Sequence, residues 1–394
     1  MAHNLVIPIA GKGSRFFNAG IKIPKQLIIA GDKHCIDWSL ESFDLNDVNI
    51  HFIIRDEHIS NFSYDKVLKE KFGEGIKIHS LKKITRGSVE SCLIAKDDIN
   101  NDDYLTIFTM DVMFEPKLNL NELEKSVDGT LLTFKSNSDA YSYAQIDKNG
   151  NTIKTAEKEV ISNDALVGVY HFNKGSTFVD YAEKLIKDDI RTKNEFYLAP
   201  MYNLLINDGL KINTINVEKM HIFGTPNELE FFENHTLKSK KQKIIGLCSD
   251  HSGYKLKELV REILVNNNIK FHDYGTYTDN ACDYNDFVMP AVSAYIDNKC
   301  DYIFGFCRSG QGVNIASSSY PQIMSALIYS NESASLAIKH NCANFFSIPS
   351  SIWNEKNIKN LIDIILNTDF DGGRHQARVM KLIENRQRLK KNED

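Results

Sequence analysis

The chain has 394 residues, 42% of them hydrophobic and 25% charged, with a net charge of −5. That length exceeds one ordinary core and predicts two domains, while the acidic balance and scattered basic residues give no basis for nucleic-acid binding. No apolar run reaches the roughly 18 residues of a membrane span, and seven cysteines without a CxxC pair point to a reducing, cytoplasmic setting.

Taken in order, the chain reads as strand from its first residues, so no cleaved leader is expected. Leu5–Ala10, Ile50–Arg55, Ile76–Leu81, Tyr104–Met110 and Gly129–Lys135 are predicted strands. Cys35–Phe43, Val89–Lys96 and Ser176–Lys187 have helical spacing. This alternation implies an α/β domain with a mostly parallel sheet, helices on both faces, and ligands bound at the carboxyl ends of the strands. Between Asn234 and Lys243 the chain turns polar and basic, and Lys238-Ser-Lys-Lys-Gln-Lys243 reads as a solvated linker. A second alternation then begins: strand Lys243–Cys248, helix Tyr254–Asn267, strand Lys270–Tyr274, helix Tyr284–Asp297, strand Asp301–Phe306 and a helix after Gly312. The expected domains are residues 1–236 and 243–394, joined by 237–242.

The first chemical stretch is Leu5-Val-Ile-Pro-Ile-Ala-Gly-Lys-Gly-Ser-Arg-Phe16, followed by Pro24-Lys25. Here a buried strand enters a glycine-rich turn. Gly11 and Gly13 let backbone amides approach a phosphate, and Arg15 and Lys25 add charge that amides alone lack. A nucleoside triphosphate held this way suits nucleotidyl transfer. Asp111 ends an apolar strand, where a carboxylate is placed to hold Mg²⁺. Residues 4–232 resemble the sugar-phosphate nucleotidyltransferases through Gly11-Lys-Gly-Ser-Arg15, Pro24-Lys25, Thr85-Arg-Gly-Ser88, Asp111, Glu157-Lys158, Val167-Gly-Val-Tyr170, Glu195-Phe-Tyr197 and Phe223-Gly-Thr-Pro226. The resemblance implies attack of a sugar phosphate on the α-phosphorus of a nucleoside triphosphate, with pyrophosphate leaving. Ala10, Gly11, Gly13 and Ser14, with Arg86, Gly87 and Ser88 at the base turn, would then bind the nucleotide. Arg15 and Lys25 would be catalytic, Glu157, Lys158 and Gly168 would bind the sugar phosphate, and Asp111 would carry Mg²⁺. Many members of that family have a second metal-binding aspartate where this chain has Ile222. His221, Glu218 or water would complete the site, or the activity is lost.

The second stretch is Cys307-Arg-Ser-Gly-Gln-Gly312, a cysteine at the lip of an amide-presenting loop, with His251, His340 and His375 elsewhere in the domain. Such a thiol serves as nucleophile or carbon-acid base. Residues 243–385 resemble the type B ribose-5-phosphate isomerases and galactose-6-phosphate isomerase subunits. The matches are Cys248-Ser-Asp-His-Ser-Gly253, Tyr274-Gly-Thr-Tyr277, Asp283-Tyr284, Cys307-Arg-Ser-Gly-Gln-Gly312, His340-Asn-Cys-Ala-Asn344 and Gly372-Gly-Arg-His-Gln-Ala-Arg378. By that resemblance Cys307 moves a proton between C1 and C2 of an open-chain sugar phosphate without a metal. Ser309 and the loop from Gly310 to Gly312 would stabilise the enediolate, and His340 would open the ring. Asp250, Tyr284 and Asn341 would hold the sugar, and His251, Arg374 and Arg378 its phosphate. The resemblance places this site across a dimer interface, so a homo-oligomer is expected.

Both resemblances imply Rossmann-like α/β/α domains. Three positions depart from the isomerase pattern: Arg308 follows the cysteine in place of glycine, Cys342 replaces an aspartate, and Ser351 stands where a phosphate-binding arginine is usual. Arg308 would restore that charge from another direction and reshape the pocket. The combined reading is a bifunctional enzyme making an activated sugar for surface polysaccharide. The alternatives are a transferase whose second domain only binds a sugar phosphate or dimerises, and an isomerase with a silent transferase. A glycosyltransferase fits less well, because Met110-Asp-Val-Met113 lacks an Asp-x-Asp.

Overall fold

The computed structural model describes residues 1–237 and 242–391; residues 238–241, most of the expected linker and its basic run, lie outside the described residues. The chain forms two compact units, Met1–Leu229 and Glu230–Asp394.

In the first unit the strand His3–Pro8 is central, parallel to Val48–Arg55 on one side and Tyr104–Phe108 on the other. Its side chains alternate between two cores. Leu5, Ile7 and Ile9 pack with Phe52, Ile54 and Phe108, whereas Val6 and Ala10 pack with Ile53, Leu105 and Ile107. A strand buried on both faces shows as a continuous apolar run, the signal its sequence carries. Lys77–Leu81 extends this parallel core.

Beyond Tyr104–Phe108 the sheet turns antiparallel. Asp164–Phe172 runs antiparallel to Tyr104–Phe108 and Gly129–Lys135, and Tyr143–Ile146 with Thr152–Ala156 forms an outer hairpin. The sheet is therefore mixed where alternation predicted mostly parallel pairing. The hairpin turn is made by Asp147, whose Oδ1 accepts from the amides of Asn149 and Asn151 at 2.8 and 2.9 Å. A separate ladder pairs Val112–Glu115 with Lys219–Ile222.

The second unit is a five-stranded parallel sheet in the order Phe271–Asp273, Ile245–Ser249, Tyr302–Cys307, Phe345–Pro349, Ser325–Leu327. Leu247, Phe304, Phe306 and Phe346 face one core; Cys248, Ile303, Cys307 and Phe345 face the other. Sequence reading found the first three strands in chain order and left the last two, with the helices Asn331–Asn341, Ile358–Asn367 and Gly373–Lys391, unassigned.

Both sheets reverse strand order at the edge of their first strand. In the first unit this occurs between His3–Pro8 and Tyr104–Phe108, in the second between Ile245–Ser249 and Tyr302–Cys307. Connections leave to opposite faces at such a point and open a crevice at the carboxyl ends of the strands. The glycine turn with Asp111, and Asp250 with Cys307, follow those four strand ends. Among the described residues no helix is long and apolar enough to cross a membrane.

Candidate functional sites

At the first crevice, Gly13 adopts φ 60° and leads into the short helix Ser14–Asn18. A Cβ added at Gly11 or Gly13 would meet nothing within 4 Å, so the turn borders open space. Ala10 is buried beneath it, while Ser14 and Arg15 are exposed. Lys25 emerges at the start of a single 3₁₀ turn, its side chain only 10% exposed, and its Nζ forms an ion pair with Asp111 Oδ1. Burial pulls the Lys25 pKa down to about 8, opposed by Cys35 and Glu228 and reinforced by Arg15. The structure thus brings together the strand-end carboxylate and the two cations expected from sequence.

Asp111 is held from both sides. Its carbonyl accepts from Phe223 N at 3.1 Å, and Thr109 N donates to Gly168 O at 2.9 Å. Gly168 has φ 96°, and a Cβ there would lie 2.5 Å from Thr109 Oγ1, so only glycine allows this approach. Next to Asp111, the missing side chain of Gly224 leaves a cradle: its Cβ position is 3.2 Å from Asp111 Oδ2 and 3.4 Å from Glu228 Oε2. A gap bordered by two carboxylate oxygens suits a hard divalent cation such as Mg²⁺.

Of the candidates for the donor missing at Ile222, Glu218 is ruled out by position. Its amide pairs with Glu115 O, four residues along the ladder from Asp111, about 13 Å at the usual rise. His221 is buried opposite Met113, and Ile222 itself is buried opposite Val112. The sequence expectations do not include Glu228; Thr225-x-x-Glu228 has the spacing of a helix capping box, which gives an acidic residue there a role without any ligand. The cap does form, with Glu228 N donating to Thr225 Oγ1 at 3.2 Å. Burial also pushes the Glu228 carboxyl up, against Thr225, Arg15 and Lys25, which pull it down.

The turn expected to bind the base packs on Phe196. Arg86 and Arg191 place their guanidinium groups 5.0 and 4.9 Å from its ring, and Phe196 N donates to Arg86 O at 2.8 Å. Gly87, at φ 141°, leaves room for the Phe196 backbone, and Ser88 opens the helix Ser88–Cys92. Arg86 is paired with Glu90 at 2.7 Å. The neighbouring Tyr197 carries Lys158, whose Nζ lies 3.4 Å from its hydroxyl. Glu157 accepts from Ser142 Oγ, and burial raises its pKa.

One further group in this unit has metal-ligand composition, His51, His79 and Asp98. His51 Nδ1 and His79 Nε2 are 3.1 Å apart, with ring planes within 7° and centroids 5.4 Å apart. One of these nitrogens thus donates its N–H to the lone pair of the other, so that pair is committed to a hydrogen bond, and Asp98 is engaged by Lys77.

At the second crevice, Asp250 is buried after its strand and accepts from Gly253 N at 2.8 Å. The Asp250 amide donates to Phe306 O at 3.1 Å, tying this loop to the strand of Cys307. His251 Nδ1 lies 3.2 Å from Cys282 N and 3.3 Å from its carbonyl, so the ring is oriented through that edge. Cys307 is 4% exposed. Gly310, at φ 74°, caps the helix Gln311–Ser318; a Cβ there would stand 2.9 Å from Pro349 and 3.2 Å from Ser347 Oγ. Gly312 lies under the Tyr284 ring, where a Cβ would be 2.8 Å from it. Ser309 is exposed and accepts from Gln311 N at 3.3 Å. The Arg308 carbonyl accepts from Ser351 N at 3.1 Å, so the arginine gained and the arginine lost occupy touching loops.

The remaining predicted residues form a separate group. His340 and His375 stack at 4.1 Å with planes 2° apart, and Arg374 Nε donates to His375 Nε2 at 3.2 Å. Burial, then the neighbouring charges of His340, Arg374 and Arg378, lower the His375 pKa to about 4. Asn341 and Arg378 line a cavity of 260 Å³ with Met324, Ser325 and Arg386. Within one chain this group is not beside Cys307. The helix Asn331–Asn341 ends just before the strand Phe345–Pro349 begins, and Phe345 pairs with Ile303, four residues short of Cys307. The strand alone interposes about 13 Å, at opposite ends of the sheet.

Residues 245–382 match the family described as Ribose/Galactose Isomerase, and residues 5–199 match Nucleotidyl transferase. A putative sugar phosphate isomerase of Rickettsia bellii is 32% identical over 138 residues, covering 35% of this chain and 96% of the relative. A probable ribose-5-phosphate isomerase B of Mycoplasma genitalium is 34% identical, covering 35% of this chain and 93% of the relative. The solved structure of a nucleoside-diphosphate-sugar pyrophosphorylase from Vibrio cholerae superposes with a TM-score of 0.54 at 27% identity, covering 59% of this chain and all of that one. The chain therefore belongs to the ribose/galactose isomerase family through residues 245–382 and carries a nucleotidyl transferase domain over residues 5–199.

Proposed function

We propose that the protein is a bifunctional enzyme of nucleotide-sugar synthesis, interconverting aldose and ketose forms of a sugar phosphate and transferring a nucleotide to a sugar phosphate. The observation that carries the transferase half is the convergence of Arg15, Lys25 and Asp111 on the glycine turn at a strand-order reversal. A phosphate oxygen of the sugar attacks the α-phosphorus, and the bond to the departing pyrophosphate breaks. Arg15 stabilises the leaving group, Lys25 the transferring phosphoryl, and Lys158 holds the acceptor phosphate. Charge neutralisation and positioning supply the acceleration. Asp111 would hold Mg²⁺, which when bound would neutralise charge on the phosphates.

In the second unit the Cys307 thiolate takes the proton from C2 and the resulting thiol returns it to C1, while the hydroxyl proton passes from O2 to O1, or the reverse of both. The electron pair is held meanwhile as an enediolate facing Ser309 and the amides of the 310–312 loop. His340 opens the ring, and His251, Arg374 and Arg378 hold the phosphate. Because the His340 group sits at the far end of the sheet from Cys307 in one chain, a complete site takes Cys307 from one copy and His340 from another. Arg308, beside Ser351, supplies the phosphate charge missing at that position. The joint product would feed surface polysaccharide assembly.

The test is a panel of pentose, hexose and heptose phosphates against CTP, UTP, GTP, ATP and dTTP with Mg²⁺. Pyrophosphate release is read beside mass spectrometry and C2 proton exchange in deuterated water. Pyrophosphate from one pair, with exchange on the same or a linked sugar, is the expected result. Pyrophosphate without exchange leaves the second unit a binding module; exchange without pyrophosphate retires the transferase.

A further inference from the structure

Glu228 occupies a position that its capping role alone does not explain. The cap needs the side chain near Thr225, yet Glu228 Oε2 also borders the Gly224 cradle opposite Asp111 Oδ2. Arg15 and Lys25 both act on it electrostatically, and Tyr141 feels its charge in turn. The carboxylate therefore faces the same crevice as the glycine turn. Four charges, Arg15, Lys25, Asp111 and Glu228, make a balanced set in the free protein. A nucleoside triphosphate breaks that balance by drawing both cations to its phosphates, which leaves two carboxylates facing one gap. Mg²⁺ is characteristically bound by one or two carboxylates together with substrate phosphate oxygens. Ile222 offers no donor, and Glu218 lies too far along the ladder.

We propose that Glu228 is the second carboxylate that, with Asp111, holds the divalent cation of the transferase site. The inference rests on the transferase reading. The cation displaces Lys25 from Asp111 with or without nucleotide, and nucleotide, by drawing Lys25 to its phosphates, strengthens that exchange.

Glu228→Gln separates the two roles, because glutamine serves in a capping box as glutamate does but is a poor ligand for a hard cation. The full-length protein is titrated with Mn²⁺ alone, and free Mn²⁺ is counted by its electron paramagnetic resonance signal. Wild type, Glu228→Gln and Asp111→Asn are compared, with thermal melts confirming equal folding. The expected result is one saturable site in the wild type, weakened roughly tenfold or more in each variant, by analogy with the losses that follow disruption of supporting groups at metal sites. Loss in Asp111→Asn with wild-type affinity in Glu228→Gln overturns this inference and leaves the transferase reading standing. No saturable site in the wild type, or no loss in either variant, overturns it together with the metal half of that reading. Should Glu228→Gln melt early, Glu228→Asp keeps the charge but shortens its reach; wild-type affinity there overturns the proposal.

Discussion

In the proposed transfer Lys25 would act only while it carries its proton, and its pKa near 8 sets where that ends. Nucleotidyl transfer should therefore fall as pH rises through about 8, as the cation facing the phosphates is lost. Lys25→Arg, which stays charged well above that range, should show a lower plateau without that descending limb; an unchanged limb would assign it elsewhere. Histidines set the acid side of stability. His3, His51 and His171 are buried and hydrogen-bonded, with burial lowering them to about 3, 4 and 4. Their unfolded values lie near 6.5, so the unfolded chain binds more protons between pH 6.5 and 4, and stability is lost as pH falls through that window. Each tenfold loss of proton affinity on folding is worth about 1.4 kcal/mol. The melting temperature should drop steeply below pH 6.5, and His51→Gln should flatten the slope. At this scale Arg15 and Lys25 were visible as charge beside a glycine turn, and Asp111 as a carboxylate at the end of an apolar strand. Glu228 was not, and its spacing from Thr225 has a structural explanation of its own.

The elements divide by how their burial is written in sequence. The parallel strands at both cores, such as Leu5–Ile7 and Phe304–Phe306, are apolar on both faces and stand out as unbroken runs. Thr152–Ala156 has exposed Ile153 and Lys154 between buried neighbours, and its outer hairpin left too weak a pattern to predict. Loops at the strand ends carry the sharper prediction. Gly310→Ala must relieve contacts with Pro349 and Ser347 while holding a left-handed φ. It should abolish or reduce C2 proton exchange by about a hundredfold, the loss typical of a displaced oxyanion donor. Pyrophosphate formation in the same preparation should be unchanged. A variant with full exchange would show that the loop does not stabilise the enediolate.

At the scale of the whole molecule, the separation of Cys307 from His340 was readable in principle. A helix that precedes a parallel strand delivers its last residues to the start of that strand, and His340 lies in the last turn of such a helix. Motif order alone conceals this, because both residues appear in one family signature. A site shared between copies predicts complementation: Cys307→Ala and His340→Ala should each be inactive in isomerisation. Mixed and allowed to exchange subunits, they should recover about a quarter of wild-type activity per chain, since half the pairs are hybrid and each hybrid holds one intact site. No recovery would mean that a site is completed within one chain.

A site shared in this way would give the two proposed activities different kinetic orders. Once the protein is diluted past the point where copies part, isomerisation per chain should fall in proportion to concentration, a second-order dependence overall. Nucleotide transfer, whose groups all come from residues of a single first unit, should remain strictly first order. Dilution alone would then uncouple two reactions that share one polypeptide.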